Sequence, residues 1–89
     1  MRCVISVLGK DRSGIVAAVA TVLADCQANI DDISQTLLGD IFSMTMLVTF
    51  NPEAAGFNEV QEKLAVVGDN LGVQVTLQRQ DVFDFMYKI

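Results

Sequence analysis

The 89-residue sequence predicts an α+β domain of order β-α-β-β-α-β, with one antiparallel sheet and both helices on a single face of it. Three observations lead there. Apolar residues alternate in four segments and recur at helical spacing in two others, in that order along the chain. One tight hairpin signal, Gly39-Asp40, joins the two middle strand segments. The two remaining connections are crossovers, and right-handed crossovers place both helices on the same side. The expected strand order is 4-1-3-2, which leaves strands two and four as edges.

The first strand is read over Val4 to Leu8, with Cys3, Ile5 and Val7 on the core face. A first helix is expected over Ile15 to Cys26. Its buried seam is Ile15, Val19, Val22 and Cys26, and Ser13 stands at the N-cap position. The second strand is read over Ile30 to Leu38. Its adjacent acids Asp31 and Asp32 are expected to point to opposite faces as a solvated pair, ill placed to share one metal ion. The third strand, Ile41 to Phe50, lines one face with Phe42, Met44, Met46, Val48 and Phe50. Phe57, Val60, Leu64, Val67 and Leu71 mark a second helix, with Asn58 as expected cap, Gln61 as its capping-box partner and Gly72 as the stop. Val73, Val75 and Leu77 alternate with Gln74, Thr76 and Gln78 in the fourth strand. A short C-terminal helix is expected over residues 80–89, where Val82, Phe83, Phe85, Met86 and Ile89 give an apolar pattern.

Composition narrows the function classes. Hydrophobic residues make up 52% of the chain, more than so small a domain comfortably buries, so part of that surface is expected to meet a second copy. The formal net charge is −5, and the six Lys and Arg residues are not clustered. That argues against nucleic acid and against an anionic membrane surface as partners. No run approaches the ~18 apolar residues of a spanning helix. Met1 is followed at once by a strand-like run with no charged leader, so a cytoplasmic location is expected. Cys3 and Cys26 lack metal-type spacing and are expected as neighbouring, buried, reduced thiols.

The most informative stretch is Gly9-Lys10-Asp11-Arg12-Ser13-Gly14-Ile15-Val16, at the junction of the first strand and first helix. Such a turn presents free backbone N–H groups beside a short acidic and basic pair, which suits a small ligand. It is not a nucleotide loop. The G-x(4)-G spacing lacks the Lys-Ser/Thr of a P-loop and the third glycine of a dinucleotide fingerprint.

This loop, followed by the helix and by Ala28-Asn29-Ile30, resembles an ACT domain over residues 1–79. The nearest likeness is to the small stand-alone ACT proteins of bacteria and archaea, with ACT modules of the glycine-cleavage-repressor type also similar. The resemblance implies a ferredoxin-like fold, side-by-side dimers, and an amino acid or other small metabolite bound at the dimer interface. It implies that the loop of one subunit and the start of the second strand of the other hold the ligand. Carried onto this sequence, the ligand-binding residues are Asp11, Gly14 and Ile15 on the loop, with Asn29 and Ile30 opposite. Serine-binding relatives carry Asn where this chain has Asp11, and some carry His where it has Gly9, so no particular amino acid is assigned. Asp11 can accept an ammonium group but repels a carboxylate unless Arg12 or backbone N–H groups offset it.

The loop also has a purely structural reading. Gly9 and Gly14 would then serve a tight turn and a close helix-sheet approach, and Asp11 would only cap the turn. No catalytic set is visible. The chain has no His, and neither Ser13 nor the two thiols have a base beside them in sequence. No cofactor and no enzymatic activity are expected. The reading is a homodimeric regulatory domain that senses a small molecule such as an amino acid and is read by a regulated enzyme or transcription factor. The alternative is a ligand-free protein–protein interaction module that works through its edge strands or tail helix.

Overall fold

The computed structural model describes residues 1–51, 53–81 and 84. The elements are β1 (Arg2–Lys10), α1 (Ile15–Asp25), β2 (Asn29–Leu38), β3 (Ile41–Thr49), α2 (Phe57–Leu71) and β4 (Val73–Arg79). The sheet order is β2-β3-β1-β4, and every adjacent pair is antiparallel. This is the expected order read from its other edge.

Alternation places one core between the sheet and the helix layer. Cys3, Ile5 and Val7 of β1, Met44, Met46 and Val48 of β3, and Leu77 of β4 are buried together with Ile15, Val19 and Leu23 of α1 and Val60 and Leu64 of α2. One shared core requires both helices on one face. Each fully buried aliphatic side chain of this kind contributes about 1.5–3 kcal/mol. Cys3 and Cys26 are free thiols buried within it. Burial pushes the Cys3 thiol up from its ordinary value.

Several local expectations are corrected. The N-cap of α1 is Gly14, not Ser13, and no side chain caps it. Gly14 enters the helix at φ 90°, a left-handed conformation that costs a residue with a Cβ about 1–2 kcal/mol. The buried seam of α1 runs through Leu23, with Val22 only partly buried. α2 begins after Gly56 in extended backbone rather than at Asn58. The chain is prepared for that start further back, where Asn51 Oδ1 accepts the Glu53 N–H at 3.0 Å and the Asn51 carbonyl accepts the Ala54 N–H at 2.9 Å. Gly72 ends α2 at φ 71° as expected.

Asp31 and Asp32 do not point to opposite faces. A bulge interrupts the β2–β3 ladder between Ile30 and Asp32, and the extra residue breaks the alternation. Asp32 pairs with Leu47 on the face away from the helices, and the Asp31 carboxylate reaches Thr49 and Arg2 on that same outer face. Gln80, Asp81 and Asp84 have helical backbone. The remainder of the expected tail helix, including Val82, Phe83, Phe85, Met86 and Ile89, lies outside the described residues.

Candidate ligand-binding site

The loop after β1 is tied to the hairpin by one backbone bond, from the Asp11 N–H to the Asp40 carbonyl at 2.8 Å. The side chain of Asp11 stays exposed. Arg12 is not simply solvated. Its Nη1 donates to the Leu71 carbonyl at 3.3 Å, a guanidinium at the C-terminal end of α2 where the helix dipole favours positive charge. The loop is thereby held between the hairpin and the end of the second helix. Gly14 has no atom within 4 Å of the place where a Cβ would sit, so its role is conformational and the space above it is open. Ile15 is buried and anchors the helix start in the core.

A depression of about 320 Å³ opens beside this loop, lined by Asp11, Gln35, Thr36, Leu37 and Phe42. Gln35 and Thr36 are not among the residues expected from sequence. Gln35 did carry a signal. It faces the helix side opposite Met44, between Ile33 and Leu37, where an apolar residue would continue the pattern. A second depression of similar volume lies on the outer face, lined by Val4, Asp32, Ser34, Thr45, Leu47 and Gln80 among others. It contains none of the expected ligand residues.

Asn29 and Ile30 lie far from the loop within one chain. Asn29 pairs with Thr49, and Thr49 pairs with Arg2 at the beginning of β1, whereas the loop follows the other end of β1. The ten residues of β2 separate the two groups by roughly 30 Å. Single-chain geometry therefore brings together Asp11, Gly14 and Ile15, and leaves Asn29 and Ile30 at the opposite end of the sheet. Asn29 is exposed, and its Nδ2 donates to Asp31 Oδ1 at 2.8 Å. Ile30 is 38% exposed. Among the described residues, no group of three or more His, Cys, Asp or Glu residues is arranged to hold a metal ion. Among them too, no helix is long and apolar enough to cross a membrane.

The model of the ACT domain family matches residues 2–78. The chain belongs to the ACT domain family. ACT domains are regulatory ligand-binding domains, and the match reaches into all six elements of the β-α-β-β-α-β unit. A UPF0237 protein of Methanocaldococcus jannaschii is 46% identical over 88 residues, covering 99% of this chain and 98% of its own length. The solved structure of an ACT domain protein from Streptococcus pneumoniae superimposes with a TM-score of 0.80 at 38% identity, covering 94% of each chain. A crystal structure assigned as a glycine cleavage system transcriptional repressor superimposes with a TM-score of 0.77 at 25% identity, over 86% of this chain and 44% of that one. This ACT domain is thus similar both to small stand-alone proteins of its own length and to a module within a longer regulator.

Proposed function

We propose that this ACT domain is a homodimeric, cytoplasmic sensor of a small metabolite, an amino acid being the ligand class that fits best. A regulated enzyme or transcription factor reads its state. The role is regulatory rather than catalytic, and the ligand is held by Asp11, Gly14 and Ile15 of one protomer with Asn29 and Ile30 of its partner.

The observation that carries this reading is the open edge of β2. Ile30, Ile33 and Leu37 face the helix side of the sheet, opposite Val48, Met46 and Phe42, yet they are 38%, 42% and 56% exposed. An apolar edge strand with unpaired backbone groups favours pairing with a second copy. In an antiparallel two-fold pairing about the middle of β2, Asn29 of one protomer comes opposite the Leu38 end of its partner. That end adjoins Gly39-Asp40, to which the partner's loop is bonded through Asp11. The Asp11 loop of one protomer and the Asn29–Ile30 segment of the other, remote in one chain, then lie at the same end of the interface, with Ile30 on the helix side of the sheet. A ligand bridging two protomers stabilises one dimer geometry, and a partner that binds that geometry is regulated by linkage.

Sedimentation equilibrium and a thermal-shift screen against the amino acids test the reading. A dimer is expected, and Ile33→Asp should reduce it to a single chain of 9.7 kDa with unchanged far-UV circular dichroism. A ligand at a hundred times its Kd raises stability by about 2.7 kcal/mol. Asp11→Ala and Asn29→Ala should each remove that gain while leaving the unliganded melting temperature nearly unchanged. A monomeric wild type, or a ligand affinity equal to that of the wild type in both variants, would reject the proposed site.

A further inference from the structure

The depression beside Asp11 has an apolar rung at its centre. Leu37 pairs with Phe42, both on the helix side of the sheet, and Phe42 pairs in turn with Gly9, which has no side chain. Phe42 is 7% exposed and Leu37 56%, so the ring serves as a floor and the leucine as an open wall.

Polar groups bound this rung on both sides. Asp11 follows β1 at the hairpin end, where its N–H is bonded to the Asp40 carbonyl at 2.8 Å. Gln35 stands one rung further in, opposite Met44. It is the polar member of the helix-facing row Ile30, Ile33, Gln35 and Leu37. Successive rungs on one face lie about 7 Å apart. That is the reach of an unbranched side chain of about four carbons. Hydrocarbon laid further along would strip water from the Gln35 carboxamide and give no bond in return.

None of the five lining residues is basic. The flanking cations are engaged elsewhere, Lys10 with the Asp40 carboxylate at 3.9 Å and Arg12 with the Leu71 carbonyl at 3.3 Å. An acidic side chain over the rung would have no cation lining the depression, and a hydroxyl there would exchange water for hydrocarbon.

We infer that the ligand is an amino acid with a short apolar side chain, its ammonium group at Asp11 and its side chain over the Leu37–Phe42 rung, and that Gln35 limits the length of that side chain. The inference rests on the reading that Asp11 belongs to the ligand site, and it adds the class of amino acid. The α-carboxylate falls to the backbone N–H groups at the start of α1, which no side chain caps. In the pairing proposed above, Ile30 of the partner lies on the helix side at this same end of the interface and supplies a second apolar surface.

Titration calorimetry of the full-length protein with alanine, α-aminobutyrate, norvaline, norleucine and α-aminooctanoate tests this, with serine and aspartate alongside. Affinity should rise about fourfold with each methylene as far as norleucine and stop there. Serine, nearly the same size as α-aminobutyrate, should bind more weakly than it, and aspartate more weakly still. Gln35→Leu should let the rise continue to α-aminooctanoate, and Leu37→Ser should flatten it. Three results overturn the inference: serine binding as tightly as α-aminobutyrate, affinity that stays level along the series, or a stop at norleucine that survives Gln35→Leu. The site itself stands in those cases if Asp11→Ala still abolishes binding. If ¹⁵N NMR shows residues 11–15 and 35–37 unmoved by every one of these amino acids, the site reading fails and the inference falls with it. Should the variants not fold, the wild-type series and its comparison of serine with α-aminobutyrate decide alone.

Discussion

β3 and β2 are neighbours in one sheet, of nearly equal length and joined by a two-residue turn, yet their environments are opposite. β3 alternates between buried and exposed residues along its length, while every residue of β2 is exposed. The contrast is sharpest at one rung of the ladder. Met46 and Ile33 face the same side and pair directly, but Met46 is 0% exposed and Ile33 42%. Side-chain polarity does not separate this pair, since both residues are apolar. What differs is the roof. The helix layer buries the facing side chains of β3, β1 and β4 and leaves those of β2 exposed. An apolar side chain stabilises the single chain only where something lies above it, and one left open at an edge is available to a second copy instead.

Three measurements press on that difference. The largest effect is expected at the rung itself. Met46→Ala should cost about 2–5 kcal/mol in denaturant unfolding, because it empties part of a closed core. Ile33→Ala should cost under about 1 kcal/mol at protein concentrations below dimer dissociation, with its main effect on association. Equal costs in dilute protein would break the comparison.

Two glycines give a smaller contrast of the same kind. At Gly68, under the covered half, an added Cβ would sit 2.8 Å from the Val73 carbonyl oxygen, so Gly68→Ala should destabilise by about 1–3 kcal/mol through overpacking. At Gly14, on the open loop, no atom lies within 4 Å, and Gly14→Ala should cost about 1–2 kcal/mol from its left-handed backbone alone. Compensating a neighbour distinguishes the two. Val75→Ala beside Gly68 should relieve part of the first penalty, while no packing change should relieve the second. A Gly68→Ala penalty that Val75→Ala leaves intact would assign it to the Val73 backbone.

The smallest effect belongs to Asp31, one of two exposed acids of β2. The folded-state value of Asp31 is depressed, first by the bond from Thr49 and then by that from Asn29, so its contribution to stability is present at pH above the ordinary 3.8 and is lost as pH falls through the lower folded value. Thermal unfolding followed from pH 6 downward should show a shallower acid limb in Asp31→Asn than in wild type, with the two curves converging at the acid end. Parallel curves would mean that the carboxylate makes no differential contact in the folded state.

Much of the architecture was legible from residues close together in sequence. The alternation of Phe42, Met44, Met46, Val48 and Phe50, the turn at Gly39 and the stop at Gly72 each follow from local periodicity or from a backbone angle that glycine meets at low cost. Chirality then reduced the topology to one strand order. The candidate loop was legible in the same way, because its turn and the helix it opens are contiguous.

What the sequence by itself determined, then, was the order of elements, the face each strand turns to the helices, and the loop. Only the tertiary structure decided how far the helix layer reaches, where Asp31 sits, and that Asp11 and Asn29 lie at opposite ends of the sheet. The bulged Asp31 finds its partners in a threonine of the next strand and an arginine two strands away, and the exposure of β2 reflects which strands the helix layer covers. Such quantities belong to no local window. They are set by what the folded chain places side by side.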